Sequence, residues 1–78
     1  MIQIEGFVTG IAQENCYLIH NEHNLLIVDP GSEGDHLIQE IKRIGKTPQA
    51  ILLTHMHYDH IGAVEQLRNN YEIPVYVS

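Results

Sequence analysis

Seventy-eight residues allow one small domain, and a chain of that size buries so little surface that it is marginal on its own. With 44% hydrophobic and 18% charged residues it is composed like a soluble globular chain and unlike a disordered one. A formal net charge of −6, with Lys42, Arg43, Lys46 and Arg68 the only basic residues, speaks against the clustered positive surface that a nucleic-acid partner needs.

The chain opens on Ile2, Ile4 and Gly6 alternating with Gln3, Glu5 and Phe7, the pattern of a half-buried strand. Met1 to Glu5 has neither the basic nor the apolar region of an export signal. The longest apolar runs are four residues, too short to span a bilayer. A cytoplasmic protein without a membrane partner is therefore expected. Thr9-Gly10 starts a loop, and Asn15 to His20 reads as a second strand. Cys16 is the single cysteine, so no internal disulfide forms, which fits a reducing compartment. It reads as a small buried strand residue in preference to a ligand or nucleophile. Asn21 to Asn24 is a turn that makes strands two and three a hairpin. His20 and His23 flank it and read as exposed turn histidines.

Leu25 to Val28 is a continuous apolar run, as in a strand covered on both faces, and Asp29-Pro30-Gly31 closes it. Asp29 suits a turn carboxylate that bonds to nearby amides. Ser32-Glu33-Gly34-Asp35 has the form of a capping box. Leu37, Ile38, Ile41 and Ile44 follow at helical spacing, opposite Gln39, Glu40, Lys42 and Arg43. The helix runs from Asp35 to Ile44, with His36 on its surface. Gly45 ends it and Pro48 bars its continuation. Gln49 to Thr54 is a further apolar strand, so the chain contains a βαβ unit with parallel pairing. Ligand sites in such sheets lie beyond the carboxyl ends of the strands, where Asp29 and His55 both fall. Ile61, Val64 and Leu67 mark a second helix beginning near His60, with Asp59 free to cap it, and Pro74 to Val77 starts a last strand. The element order is β-β-β-α-β-α-β, an α/β chain.

The chemistry sits in Thr54-His55-Met56-His57-Tyr58-Asp59-His60, where four possible metal ligands fall within six positions. Three imidazoles beside a carboxylate are poor packing material, because buried charge is costly unless paired or bound to a cation. They suit zinc, and also iron or manganese. His55 and His57 are two apart, so extended backbone turns both to one side. Asp59 continues that alternation and His60 turns away from it. Two imidazoles for one ion and a carboxylate with an imidazole for another would begin a two-metal site. A polar loop that merely happens to be rich in histidine is the alternative.

His55-x-His57-x-Asp59-His60 resembles the metal-binding signature of the metallo-β-lactamase-fold hydrolases, and Asp29-Pro30-Gly31 resembles that family's first acidic turn. The nearest branch is the glyoxalase II-like thioesterases. The resemblance runs through all 78 residues but reaches only the first third to half of the family's domain. It implies the N-terminal half of an αββα sandwich, with residues 1–78 an incomplete N-terminal part of one domain. It implies His55 and His57 on a first metal, Asp59 and His60 on a second, and Asp29 beside them. Two zinc ions are implied, iron or manganese being possible, with a metal-bound hydroxide attacking a small-molecule thioester or ester. Asp59 would be the catalytic residue that orients the hydroxide and takes its proton. The family's bridging Asp and two later histidines have no counterpart in Pro74 to Ser78, so the 78-residue chain alone is expected to be inactive. Its uncovered sheet face is expected to drive self-association. A nuclease would need a basic groove, and a β-lactamase normally acts outside the cytoplasm. Two other classes stay open: a non-catalytic metal-binding module completed by association, and a small α/β interaction module with empty histidines.

Overall fold

A computed structural model of the chain describes residues 1–9, 14–31, 33–54 and 62–78. Strands β1 (Gln3–Thr9), β2 (Glu14–His20) and β3 (Leu25–Val28) are followed by helix α1 (Gly34–Ile44), strand β4 (Pro48–Leu53), helix α2 (Gly62–Tyr71) and strand β5 (Val75–Val77). This is the order expected from the sequence. The strands form one sheet in the order β1-β2-β3-β4-β5. β1–β2 and β2–β3 are antiparallel, whereas β3–β4 and β4–β5 are parallel.

The β2–β3 hairpin is set by Asn21. Its side-chain Oδ1 accepts from the main-chain N–H groups of His23 and Asn24, each at 2.8 Å, and its own N–H donates to the Asn24 carbonyl at 3.0 Å. A side chain that substitutes for a backbone acceptor in this way fixes a tight turn. The two crossovers step across the sheet in the same direction. Right-handed connections then put both helices on one face. Leu37 and Ile41 of α1 and Val64 and Leu67 of α2 pack there on Cys16, Leu18, Leu25, Ile27 and Ile51. Full burial of each Leu or Ile side chain is worth roughly 1.5–3 kcal/mol.

The helix ends differ in how well the sequence announces them. Gly45 ends α1 with φ 82°, a conformation that favours glycine, and donates its N–H to the Ile41 carbonyl at 3.0 Å. At the start of α1 Glu33 is the cap residue, with φ 60°, and its side chain makes no capping hydrogen bond. Ser32 lies outside the described residues. Asp35 accepts from the Gln66 side chain and so ties the start of α1 to α2. A carboxylate in the first helical turn is favoured there in any case by the helix dipole.

The face of β1 that meets the helices is the opposite of what its apolar pattern suggests. Phe7 packs against the core and Glu5 is half-buried beside it, while Ile4 and Val8 are 64% and 63% exposed. Register explains this. Phe7 lies opposite the buried Cys16 and Glu5 opposite the buried Leu18, so both must share the helix side. Ile4, Val8, Tyr17, Ile19, Leu26, Val28, Leu52 and Tyr76 occupy the other side. Among the described residues that second face carries no charged side chain, and the described helices leave it uncovered. Leu25 and Ile27 are therefore closed in, while Leu26 and Val28 of the same strand are only half-buried.

Candidate functional site

The carboxyl ends of β3 and β4 are joined by two residues. Asp29 follows β3 with φ 52°, in the left-handed region that non-glycine residues seldom enter. Its N–H donates to the Leu52 carbonyl at 2.9 Å and so extends the parallel ladder by one bond. Its carboxylate turns back over β4, where Oδ1 accepts the Thr54 N–H at 2.8 Å and Oδ2 accepts the Thr54 hydroxyl at 2.6 Å. On the other flank the Ser78 N–H donates to the Leu53 carbonyl at 2.9 Å. Asp29 is thus a turn carboxylate bonded to backbone, as its position predicts, and it grips the residue that immediately precedes His55.

His55, His57, Asp59 and His60 lie outside the described residues, as does Ile61. Among the described residues no group of three or more His, Cys, Asp or Glu side chains is placed to hold a metal. The donor chemistry of the adjoining segment, three imidazoles and a carboxylate, fits a divalent zinc, iron or manganese ion. A family model for the metallo-beta-lactamase superfamily matches residues 9–78. The chain belongs to that superfamily.

Similar members share most of this chain. A probable metallo-hydrolase of Bacillus subtilis is 50% identical over 68 residues, which are 87% of this chain and 32% of that protein. A hydroxyacylglutathione hydrolase of Haemophilus influenzae is 42% identical over 78 residues, 99% of this chain and 37% of that protein. The crystal structure of BLEG-1 B3 metallo-beta-lactamase matches with a TM-score of 0.88 at 44% identity, over 95% of this chain and 36% of that one. A crystal structure in a di-iron-bound form matches with a TM-score of 0.82 at 40% identity, over 92% of this chain and 36% of that one. The chain therefore spans about a third of the length of the curated relatives it matches. The glyoxalase II-like resemblance and the fold class both hold.

Three other residues read from the sequence, Cys16, His20 and His23, stand apart from the Asp29–Thr54 clasp. Cys16 is buried, and burial first, then the negative charge of Asp29, pushes its thiol up to about 12, so it is no nucleophile at neutral pH. His23 is exposed, as expected. His20 is not: it is only 6% exposed and both ring nitrogens are engaged. Its Nε2 lies 2.9 Å from Glu5 Oε2 and its Nδ1 lies 3.1 Å from Lys46 Nζ. An ammonium has only donors, so Nδ1 accepts and the ring proton sits on Nε2, where it serves Glu5. Arg43 adds a second contact to Glu5 and a 3.0 Å bond to Glu40. The cluster lies at the opposite end of the sheet from Asp29, because His20 pairs with Leu25, the first residue of β3. Sequence reasoning missed it, as it missed Thr54. The signals were Glu5 on a core-facing register and a hydroxyl adjoining the ligand run.

The hydrogen bond from His20, and next the Arg43 guanidinium, hold the Glu5 carboxyl below its ordinary value near 4.5. A depressed carboxyl contributes stability that is present above the unfolded value and is lost as pH falls through the folded one. Glu5→Gln is expected to be less stable at neutral pH and to lose less stability on acidification below about pH 4.5. Urea unfolding at a series of pH values checks this; parallel curves for the two proteins would remove Glu5 from the acid limb.

Proposed function

We propose that residues 1–78 form the N-terminal part of a metal-dependent hydrolase domain that cleaves a small-molecule thioester or ester. The observation that carries this is the Asp29–Thr54 clasp, which joins the carboxyl ends of β3 and β4 at the start of His55-x-His57-x-Asp59-His60. In this reading His55 and His57 hold one ion, Asp59 and His60 hold a second, and Asp29 supports them from beside. Asp59 is the catalytic residue: its carboxylate orients the attacking water and accepts its proton. When bound, the ions lower the pKa of water from 15.7 to about 7 and polarise the acyl oxygen. Zinc is the first choice, and iron is supported by the similar di-iron structure.

A thioester is favoured because a relative sharing 42% identity is named a hydroxyacylglutathione hydrolase. The net charge of −6 offers nothing to a polyanion such as nucleic acid. No described helix is long and apolar enough to cross a membrane. The single free Cys16 fits a reducing compartment, and the cytoplasm is the proposed location. The 78 residues alone supply two ligands per ion and are inactive in this reading, since catalytic zinc takes three protein ligands. Metal analysis of the full protein to which the chain belongs, with parallel assays on a glutathione thioester, a β-lactam and a phosphodiester, tests the proposal. Metal with thioester turnover is expected. Turnover of either other substrate without the thioester overturns the assignment.

A second reading draws on the uncovered apolar face. Produced as these 78 residues, the chain pairs with a second copy through that face, and association brings additional ligands to the metals. Among the described residues that face bears no charged side chain, so no like charges meet within the contact itself.

A further inference from the structure

We propose that Thr54 is a positioning residue for the metal centre, acting through its hydroxyl on Asp29; this rests on the metal-binding reading above. The clasp has two halves. The main chain of Asp29 is bonded to Leu52, and its carboxylate passes over Leu53 to Thr54. One residue therefore fixes β4 at two points, separated by the carbonyl that Ser78 occupies from the other flank. The chain leaves β4 from Thr54 in one direction, and the next residue is His55.

The two contacts to Thr54 are not equivalent. The N–H bond to Oδ1 would survive almost any substitution. The hydroxyl bond to Oδ2, at 2.6 Å, is charge-assisted and depends on the side chain. It also fixes the orientation of the Asp29 carboxylate, because one bond to each oxygen leaves no freedom to rotate. Asp29 holds a left-handed backbone, φ 52°, which aspartate tolerates better than most non-glycine residues. Pro30 follows and is buried. The hydroxyl of Thr54 thus sets the carboxylate's direction at this turn. Threonine suits the task because its β-branch restricts χ1.

Removing a group that orients a metal site in this indirect way typically costs about 10–100-fold in metal affinity. Thr54→Val keeps the shape and deletes the hydroxyl; Thr54→Ser keeps the hydroxyl and deletes the methyl. Zinc affinity of the full protein to which the chain belongs, measured by competition with a chelator, is the readout, with circular dichroism confirming the fold. Weaker binding for Thr54→Val, by about 10–100-fold, with affinity recovered in Thr54→Ser, is the expected result. Unchanged affinity in a folded Thr54→Val overturns the role of Thr54, as does a Thr54→Ser as weak as the valine variant. Should Thr54→Val fail to fold, Asp29→Asn decides: weaker zinc supports the clasp and undiminished zinc overturns it. Absence of zinc binding in the unaltered full protein overturns the metal reading itself and is seen before any variant is made.

Discussion

His57→Ala is expected to remove one metal position and to abolish hydrolysis in the full protein. The reason lies in the spacing. His55 and His57 are two residues apart, and the proposed assignment gives both to a single ion, as an extended backbone there would allow. A site with only two ligands from this segment cannot spare one of them. Loss of a group that merely orients a ligand costs about 10–100-fold in metal affinity, and loss of the ligand itself should exceed that. Alanine at this place leaves the core of Leu18, Ile27, Ile51 and Leu67 untouched, so the fold should persist. Elemental analysis after zinc loading, alongside turnover of a thioester, gives the answer. Full metal content together with undiminished turnover would sink the assignment.

The second large effect concerns association. The 78-residue chain should dimerise with rising concentration, and Tyr17→Glu should return it to a monomer. Tyr17 is 39% exposed and sits on the uncharged face, opposite Gly6 on β1 and Val28 on β3. In a contact between two copies related by a two-fold axis, residue i meets residue j and j meets i, so the substitution enters the same contact twice. Glutamate there introduces like charges into an apolar contact, at a cost of about 3 kcal/mol, or roughly 100-fold in association. Since Tyr17 is already partly in water, the monomer loses little. Sedimentation velocity across a range of concentrations reads the outcome. An unaltered chain that stays monomeric at the highest concentration would show that the face needs no cover.

What the sequence made legible was governed by neighbours in the chain. Asn21 carries its turn on its own side chain, and Gly45 stops its helix with its own backbone freedom. Leu37 and Ile41 declare the buried stripe of α1 by spacing alone. What was misread depends on partners far along the chain. Glu5 takes a core-facing place because His20 and Arg43 satisfy it, 15 and 38 residues away. His20 is buried because Lys46 meets it from 26 residues downstream. The β1 alternation misled for a further reason: both faces of this sheet are apolar, so a period of two marks alternation without saying which side meets the helices. At the candidate site, the place of Asp29 at a strand end was readable from Asp29-Pro30-Gly31. The grip on Thr54 was not, because a threonine at the end of an apolar strand announces only β propensity.

The sheet order has a consequence for how the polypeptide is made. Each strand lies beside its predecessor in sequence, from β1 through β5, with no later strand inserted between earlier ones. A ribosome adds roughly 5–20 residues per second, so these 78 residues take on the order of 4–16 s to appear. A β-hairpin closes in about 1–10 μs. Every strand therefore finds its neighbour already waiting when it clears the exit tunnel. The sheet can grow at one edge like cloth from a loom, and the helix-covered side can close while the other is still open.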